Sequence, residues 1–253
     1  MTQKKRKKVK TFNEIEEINI VDEIKIGDKP KMFIKTPFKL TEKQIELVKL
    51  IQNENTNIVF VEGACGTGKS FSAILGALQL FNNNDSYEKI IYIRSIVESA
   101  DKSIGALPGN LKEKTAPFAA PLFDKMVQLL DEKMVKELFS TNQIEFSPIN
   151  FLRGEDWKNR IIILDEAQDL SLREIETVMT RIGKNTKLII CGDSRQSDIG
   201  RKSGFLKVMN VFESAVDSKR WGIESFQFTI DDIVRSPFLK FIVEKFDEIK
   251  SQN

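Results

Sequence analysis

Gly63-Ala64-Cys65-Gly66-Thr67-Gly68-Lys69-Ser70 fits the phosphate-binding pattern G-x-x-x-x-G-K-[ST], and the residues on either side decide what it means. Before it runs the apolar, strand-like Ile58-Val59-Phe60-Val61; after it, Phe71, Ile74, Leu75, Leu78 and Leu80 recur at near-helical spacing from Lys69 onward. Strand, glycine-rich loop and helix in that order are the setting in which the pattern holds a nucleoside triphosphate. Gly63, Gly66 and Gly68 admit backbone conformations closed to other residues, so successive amides turn inward and the loop becomes an anion cradle. The helix start adds unpaired amide donors and the positive end of its dipole. Lys69 brings a full charge to the outer phosphates, and the Ser70 hydroxyl is a ligand for Mg²⁺.

Composition bounds the rest. A chain of 253 residues, 41% hydrophobic and 30% charged, is long enough for one sizeable core of ordinary globular type. No apolar run reaches membrane-span length and the N-terminus lacks a secretion-type apolar stretch, so a cytoplasmic protein without a membrane partner is expected. Cys65 and Cys191 give neither a disulfide framework nor metal-ligand spacing, and the absence of histidine excludes every mechanism needing an imidazole. The net charge of +2 conceals six basic residues in the first ten, with no acid among them, which leaves the remainder at −4. Such a run cannot bury surface. It either grips the phosphates of a nucleic acid or keeps the chain in solution, and both readings stand.

Residues 1–36 form the expected arm, basic and disordered at its start, with a possible hairpin over Ile18-Asn19-Ile20-Val21 and Ile24-Lys25-Ile26 before the turn at Gly27-Asp28-Lys29-Pro30. The folded domain is expected over 37–253. Thr41 with Gln44 three residues on makes a capping-box opening for a helix through Ile51. Further strands are read at Lys89–Ile93, Ile144–Phe146, Ile161–Leu164 and Lys187–Cys191, with helices at Leu172–Ile182 and Pro237–Ile249. Between them, residues 95–144 read as a turn-rich insertion: Leu107-Pro108-Gly109-Asn110 is a turn, Pro117 and Pro121 break the pattern, and Phe123–Phe139 is an amphipathic helix. Strands alternating with helices predict an α/β fold, a mostly parallel sheet with helices on both faces and its ligand at the carboxyl ends of the strands.

The second signal is Ile161-Ile162-Ile163-Leu164-Asp165-Glu166-Ala167-Gln168, a buried strand ending in two acids. Asp165 is placed at the sheet's carboxyl edge to hold Mg²⁺ beside Ser70, and Glu166 to polarise the attacking water. The third is Leu188-Ile189-Ile190-Cys191-Gly192-Asp193-Ser194-Arg195-Gln196, in which Gln196 is the candidate sensor of the terminal phosphate.

These three segments resemble the RecA-type core of superfamily 1 helicases. More closely, Ile104-Gly105-Ala106-Leu107-Pro108-Gly109-Asn110-Leu111, Pro121-Leu122-Phe123-Asp124, Phe151-Leu152-Arg153-Gly154, Thr180-Arg181-Ile182-Gly183 and Asp232-Ile233-Val234-Arg235 resemble the PhoH-like ATPases over about residues 40–247. The resemblance implies a single RecA-like domain that uses ATP and Mg²⁺, assembles into a ring and is linked to RNA. It also makes Gln44 the residue that reads adenine, since an amide both donates and accepts along one base edge. Two positions depart from the pattern: Ser95 follows Arg94 where proline is usual, and Ser236 follows Arg235 where histidine is common.

By the same comparison, helicases close ATP between two such domains, and this chain has room for one. A neighbouring subunit is then expected to supply the missing arginine, with Arg235 the first candidate, Arg201 the second and Arg181 the third. Lys102, Lys112 and Lys114 in the insertion are expected to touch RNA or single-stranded DNA. Two competitors stand beside an ATP-hydrolysing motor: a nucleotide-dependent assembly switch, and a small-molecule kinase, for which no arginine-rich lid pattern is present.

Overall fold

The sheet is built from runs in which nearly every residue is apolar, as strands covered on both faces require. In the computed structural model, residues 29–95, 111–152 and 156–251 are described. The strands are β1 (Ile58–Glu62), β2 (Lys89–Arg94), β3 (Ile144–Pro148), β4 (Arg160–Asp165), β5 (Thr186–Gly192) and β6 (Ile223–Gln227). They pair in the order β3-β2-β4-β5-β1-β6, and every pairing is parallel. The register sets Val61 opposite Cys191 and Ile93 opposite Leu164, so the ends of β1, β2, β4 and β5 meet along one carboxyl edge.

Alternation along the strands divides the core in two. Val59, Val61, Tyr92, Ile161, Ile163 and Ile189 face one side, under α1 (Glu42–Gln52), α2 (Lys69–Asn83), α3 (Leu111–Leu129) and α4 (Glu132–Ser140). Phe60, Ile91, Ile93, Ile162, Leu164 and Ile190 face the other, under α5 (Leu172–Met179) and α6 (Phe205–Ser214). A seventh helix, α7 (Pro237–Ser251), belongs to neither layer and packs across the carboxyl edge, where Val243 and Leu239 meet Ala64 and Cys65. The expected α/β fold with a parallel sheet between helical layers is the one observed.

The Thr41 capping box forms as expected, with Gln44 N bonded to Thr41 Oγ1 and Thr41 N to Gln44 Oε1. The same device opens α5 at Ser171 and Glu174. Three expectations are corrected. Pro117 and Pro121 do not break the chain but lie within α3. They are four residues apart, so both lost amide bonds fall on one face of the helix. The single helix expected over Phe123–Phe139 is two, parted at Leu130 and Asp131. Buried Met126, Leu129 and Leu130 share one face, whereas Val135 lies five residues on, about 140° round the axis, and a straight helix cannot bury both sets. Helix α5 stops at Met179 because Arg181 and Gly183 turn to bond the backbone of Trp157 at 2.8 Å each.

The expected arm is fastened from Lys29 onward. Lys29 Nζ donates to the carbonyls of Phe81 (3.1 Å) and Asn84 (2.8 Å) at the end of α2, and Met32 is buried beside them. The basic run, the 18–26 hairpin, the 104–110 turn motif and Lys102 lie outside the described residues, as do the side chains of Lys112 and Lys114. Among the described residues no helix is long and apolar enough to cross a membrane.

At the opposite, amino edge, Lys187 of β5 is 1% exposed and donates to the carbonyls of Asn53 (2.7 Å) and Thr56, clasping the turn between α1 and β1. Burial pushes its pKa down to about 8. A base with a lowered folded-state pKa carries a charging penalty that is fully present below that value and fades as pH rises toward the unfolded value. Lys187→Met lacks the titration, so the wild type should gain stability relative to this variant between pH ~8 and ~10.5. Paired thermal melts check it, and a difference that stays constant with pH removes this account of Lys187.

Candidate functional site

The loop expected to hold phosphate lies at the carboxyl end of β1 and opens α2. Gly66 and Gly68 adopt φ of 85° and 82°, the left-handed region that side chains disfavour. At Gly68 a Cβ would also come within 2.5 Å of Gln44 Nε2. Gly68 caps α2 with no side-chain acceptor, which leaves the first-turn amides to an external anion. The rest of the loop is braced: Thr67 Oγ1 donates to Ala64 O (2.8 Å), Gln44 Nε2 to Thr67 O (2.9 Å), and Val234 N to Gly66 O (3.0 Å). A cleft of about 640 Å³ opens over it, lined by Lys69, Ser70, Lys125, Glu166, Gln44 and Arg235 among others.

Asp165 ends β4 beside Ser70, fully buried. Ser70 Oγ donates to its Oδ1 at 2.8 Å; Tyr92 Oη donates to Oδ2, and Lys125 Nζ stands 3.8 Å from that oxygen. Burial alone raises a carboxyl pKa, but Lys125, the Tyr92 and Ser70 hydrogen bonds and Lys69 outweigh it and hold Asp165 below the ordinary range. The same contact, with burial first, lifts the Tyr92 phenol well above its usual value, so it stays a donor. Two hard oxygen donors next to a phosphate cradle fit Mg²⁺, which binds one or two protein oxygens and completes its shell with phosphate and water. Ser70 and Asp165 are the residues that would hold it.

Glu166 follows at φ 56° and ψ 41°, a conformation that costs a non-glycine residue about 1–2 kcal/mol. Side-chain bonds hold the turn: Arg94 Nη2 to Glu166 Oε1 (3.2 Å) and Gln168 Nε2 to Glu166 Oε2 (2.9 Å). Gln168 Oε1 accepts from Asp193 N (2.9 Å), and Asp193 Oδ2 accepts from Cys65 N (2.9 Å) in the phosphate loop. A continuous chain of polar contacts thus runs from Arg94 at the end of β2, through Glu166 and the turn after β5, to the loop.

The sequence-predicted residues divide between two spaces. Lys69, Ser70, Gln44, Arg235 and Glu166 line the cleft over the loop. Gln196, exposed in the turn after β5, lines an adjoining hollow of about 770 Å³ under α7, which Glu166 and Cys65 share. Gln44 is 1% exposed, and its amide already bonds Thr41 N and Thr67 O; one N–H and one lone pair are left for a base. Arg235 lies against its own chain's loop, its Cβ 3.3 Å from the position of a Cβ on Gly66, so the charge expected to reach across subunits borders the cleft of the chain that carries it. Arg181 donates to Leu152 O (3.2 Å) and its backbone pairs with Trp157 ahead of β4, while Arg201 is exposed in the turn before α6.

Tyr92, Lys125 and Gln168 were not singled out by the sequence. Tyr92 had a usable signal, since a polar tip in an apolar strand demands a partner. Lys125 had none, because a lysine inside the expected amphipathic helix Phe123–Phe139 reads as part of its solvated face.

The sequence model of the PhoH-like protein family matches residues 38–247. The chain is 33% identical over 215 residues to a PhoH-like protein of Synechocystis, covering 84% of this chain and 62% of that one. It is 35% identical over 197 residues to a PhoH-like protein of Bacillus subtilis (77% and 60%) and 31% over 199 residues to Protein PhoH of Escherichia coli (77% and 54%). It therefore spans somewhat over half the length of these relatives. Among solved structures, the Pif1 helicase of Candida albicans aligns at 16% identity over 76% of this chain and 40% of that one, with a TM-score of 0.35. Bacteroides Pif1 bound to ssDNA gives 15%, 81%, 45% and 0.36, and likeness at that level has no bearing on function. The loop, the paired acids and the parallel sheet are thus set in a sequence matched from just before the α1 cap almost to the end of α7, and the chain belongs to the PhoH-like protein family.

Proposed function

We propose that this chain binds ATP with Mg²⁺ in the cleft over residues 63–70 and hydrolyses it, working as an oligomer on RNA or single-stranded DNA. The observation that carries the proposal is the meeting of Ser70 Oγ and Asp165 Oδ1 at 2.8 Å beside a loop whose amides and Lys69 face the same cleft. The metal, when bound, neutralises charge on the phosphates. Lys69 and the α2 amides bind the phosphates, Ser70 and Asp165 position the ion, and Gln44 offers its remaining donor and acceptor to adenine. Glu166, one residue beyond the metal acid and bordering both spaces, takes the proton from the attacking water or orients it. Arg235 meets developing phosphate charge from within its own chain, which leaves Arg201 for any contact across a subunit boundary. Gln196 acts through the Glu166, Gln168 and Asp193 contacts as the group that registers loss of the terminal phosphate.

Those contacts also favour a second reading, in which nucleotide binding sets the assembly state and hydrolysis resets it. Strong stimulation of turnover by single-stranded RNA or DNA supports the motor; nucleotide-dependent size without stimulation supports the switch.

Turnover of ATP with Mg²⁺ tests the site. Lys69→Ala should lose nucleotide affinity by at least about tenfold, from the lost charge-assisted contact. Glu166→Gln should keep affinity while turnover falls about 100-fold, and unchanged turnover would remove Glu166 as base. Light scattering should give a multiple of 29.0 kDa once ATP is present, whereas a monomer with and without ATP ends the ring and every trans contact.

A further inference from the structure

Three lysines line the cleft: Lys39, exposed ahead of α1, Lys69 and Lys125. Lys69 belongs to the loop motif; Lys125 comes from α3, on the turn between buried Leu122 and Met126, which pack on the core and carry its side chain over the site. Its ammonium lies 3.8 Å from Asp165 Oδ2, too far for a directed hydrogen bond but close enough for charge attraction. The two partners are held differently. The Asp165 side chain is 1% exposed and fixed by Ser70 and Tyr92, whereas the Lys125 side chain is 29% exposed on a flexible four-carbon stem. An anchored buried carboxylate thus has a mobile cation beside the oxygens that suit a divalent ion.

Resting on the nucleotide-binding reading of the cleft, we propose that Lys125 is a resident cation of the site. Without metal it neutralises Asp165; when a divalent ion takes that carboxylate, the ammonium turns to the terminal phosphate of the bound nucleotide. Asp165, otherwise a buried charge with only neutral donors in contact, is then compensated in both states. No covalent bond is made or broken: the metal and the lysine compete for one carboxylate, and the lysine has a second anion within the same cleft. Lys125 is a positioning and binding residue, distinct in role from Lys69 because its effect depends on whether metal is present.

The dependence on metal is the test. Binding of a fluorescent ATP analogue by the full chain is measured in EDTA and in Mg²⁺, and Mn²⁺ binding to the nucleotide-free chain is followed by electron paramagnetic resonance. Lys125→Met should weaken analogue binding in EDTA by about tenfold, with a smaller loss in Mg²⁺, and should tighten Mn²⁺ binding by a similar factor. Lys125→Arg keeps the charge and should track the wild type in EDTA, which separates charge from any disturbance of α3. Equal losses of analogue binding in the two media, or unchanged Mn²⁺ affinity in Lys125→Met, overturn the proposal. If the wild type binds no analogue in either medium, the nucleotide reading itself fails and takes the phosphate half of the proposal with it. The Mn²⁺ measurement still decides the Asp165 half.

Discussion

A carboxylate with no access to water has to be satisfied by the protein, and Asp165 is such a group. An unpaired charge in a low-dielectric interior costs several kcal/mol even after relaxation, so its surroundings are constrained more tightly than apolar packing alone would demand. Three elements answer to it: α2 through Ser70, β2 through Tyr92 and α3 through Lys125. The Ser70 and Tyr92 hydrogen bonds fix α2 and β2 relative to the end of β4, and α3 brings the Lys125 charge beside them. The β2–β4 register, which sets Tyr92 opposite Ile163, brings the phenol to the sheet face that carries α2. The phosphate loop is in turn located by the Ser70 bond, because Ser70 is the second residue of α2. The geometry of the cleft follows from satisfying one acid.

Much of this was legible from particular residues. Ile58–Val61 and Ile161–Leu164 are too apolar for anything but doubly covered strands, and Gly66 and Gly68 stand at positive φ because the loop must turn its amides inward. The Thr41 and Gln44 pair announced α1 because a capping box is local chemistry. What escaped was non-local or weakly patterned. Strand β6 went unread because its residues are half-buried to exposed, so Ile223-Glu224-Ser225-Phe226-Gln227 carries no strong alternation. Helix α6 went unread although Phe205, Val208, Met209 and Phe212 follow the helical period, since Gly204 opens it with no side-chain cap and its first turn has no acid to mark a start. The prolines of α3 misled because propensity counts lost amide bonds and not the packing of Leu122, Met126 and Leu129 that outweighs them. For the site, residue types and order were readable, but which space each residue faces was not: nothing in the spacing of Gln196 or Arg235 says that one borders the hollow under α7 and the other its own loop.

Helix α7 gives that hollow its wall and ties the site's two ends together. Its first turns press Leu239 toward Gly66, and farther along Asp247 pairs with Arg195 at 3.2 Å while Lys250 donates to the Arg195 carbonyl. A shift of the phosphate loop and a shift of the turn carrying Gln196 would therefore both be felt by one rigid helix. Phe238, Phe241, Phe246 and Ile249 on the same helix are exposed, which places large apolar side chains on the element that touches both parts of the site.

The left-handed turn at Glu166 is intelligible in the same terms. An extended continuation of β4 would carry Glu166 out along the strand, whereas the turn starts the chain back toward the end of β5. There Gln168 bridges the Glu166 carboxylate and Asp193 N, and Asp193 meets Cys65. The strain of about 1–2 kcal/mol is offset by charge-assisted bonds, of which those from Arg94 and Gln168 are each of comparable size. A contact that draws Glu166 away from Arg94 removes part of that offset, and the turn, Gln168 and the loop amide at Cys65 are next in line to respond. The polar contacts that hold Glu166 in place are for that reason also the route by which a change at the phosphates would reach the turn after β5.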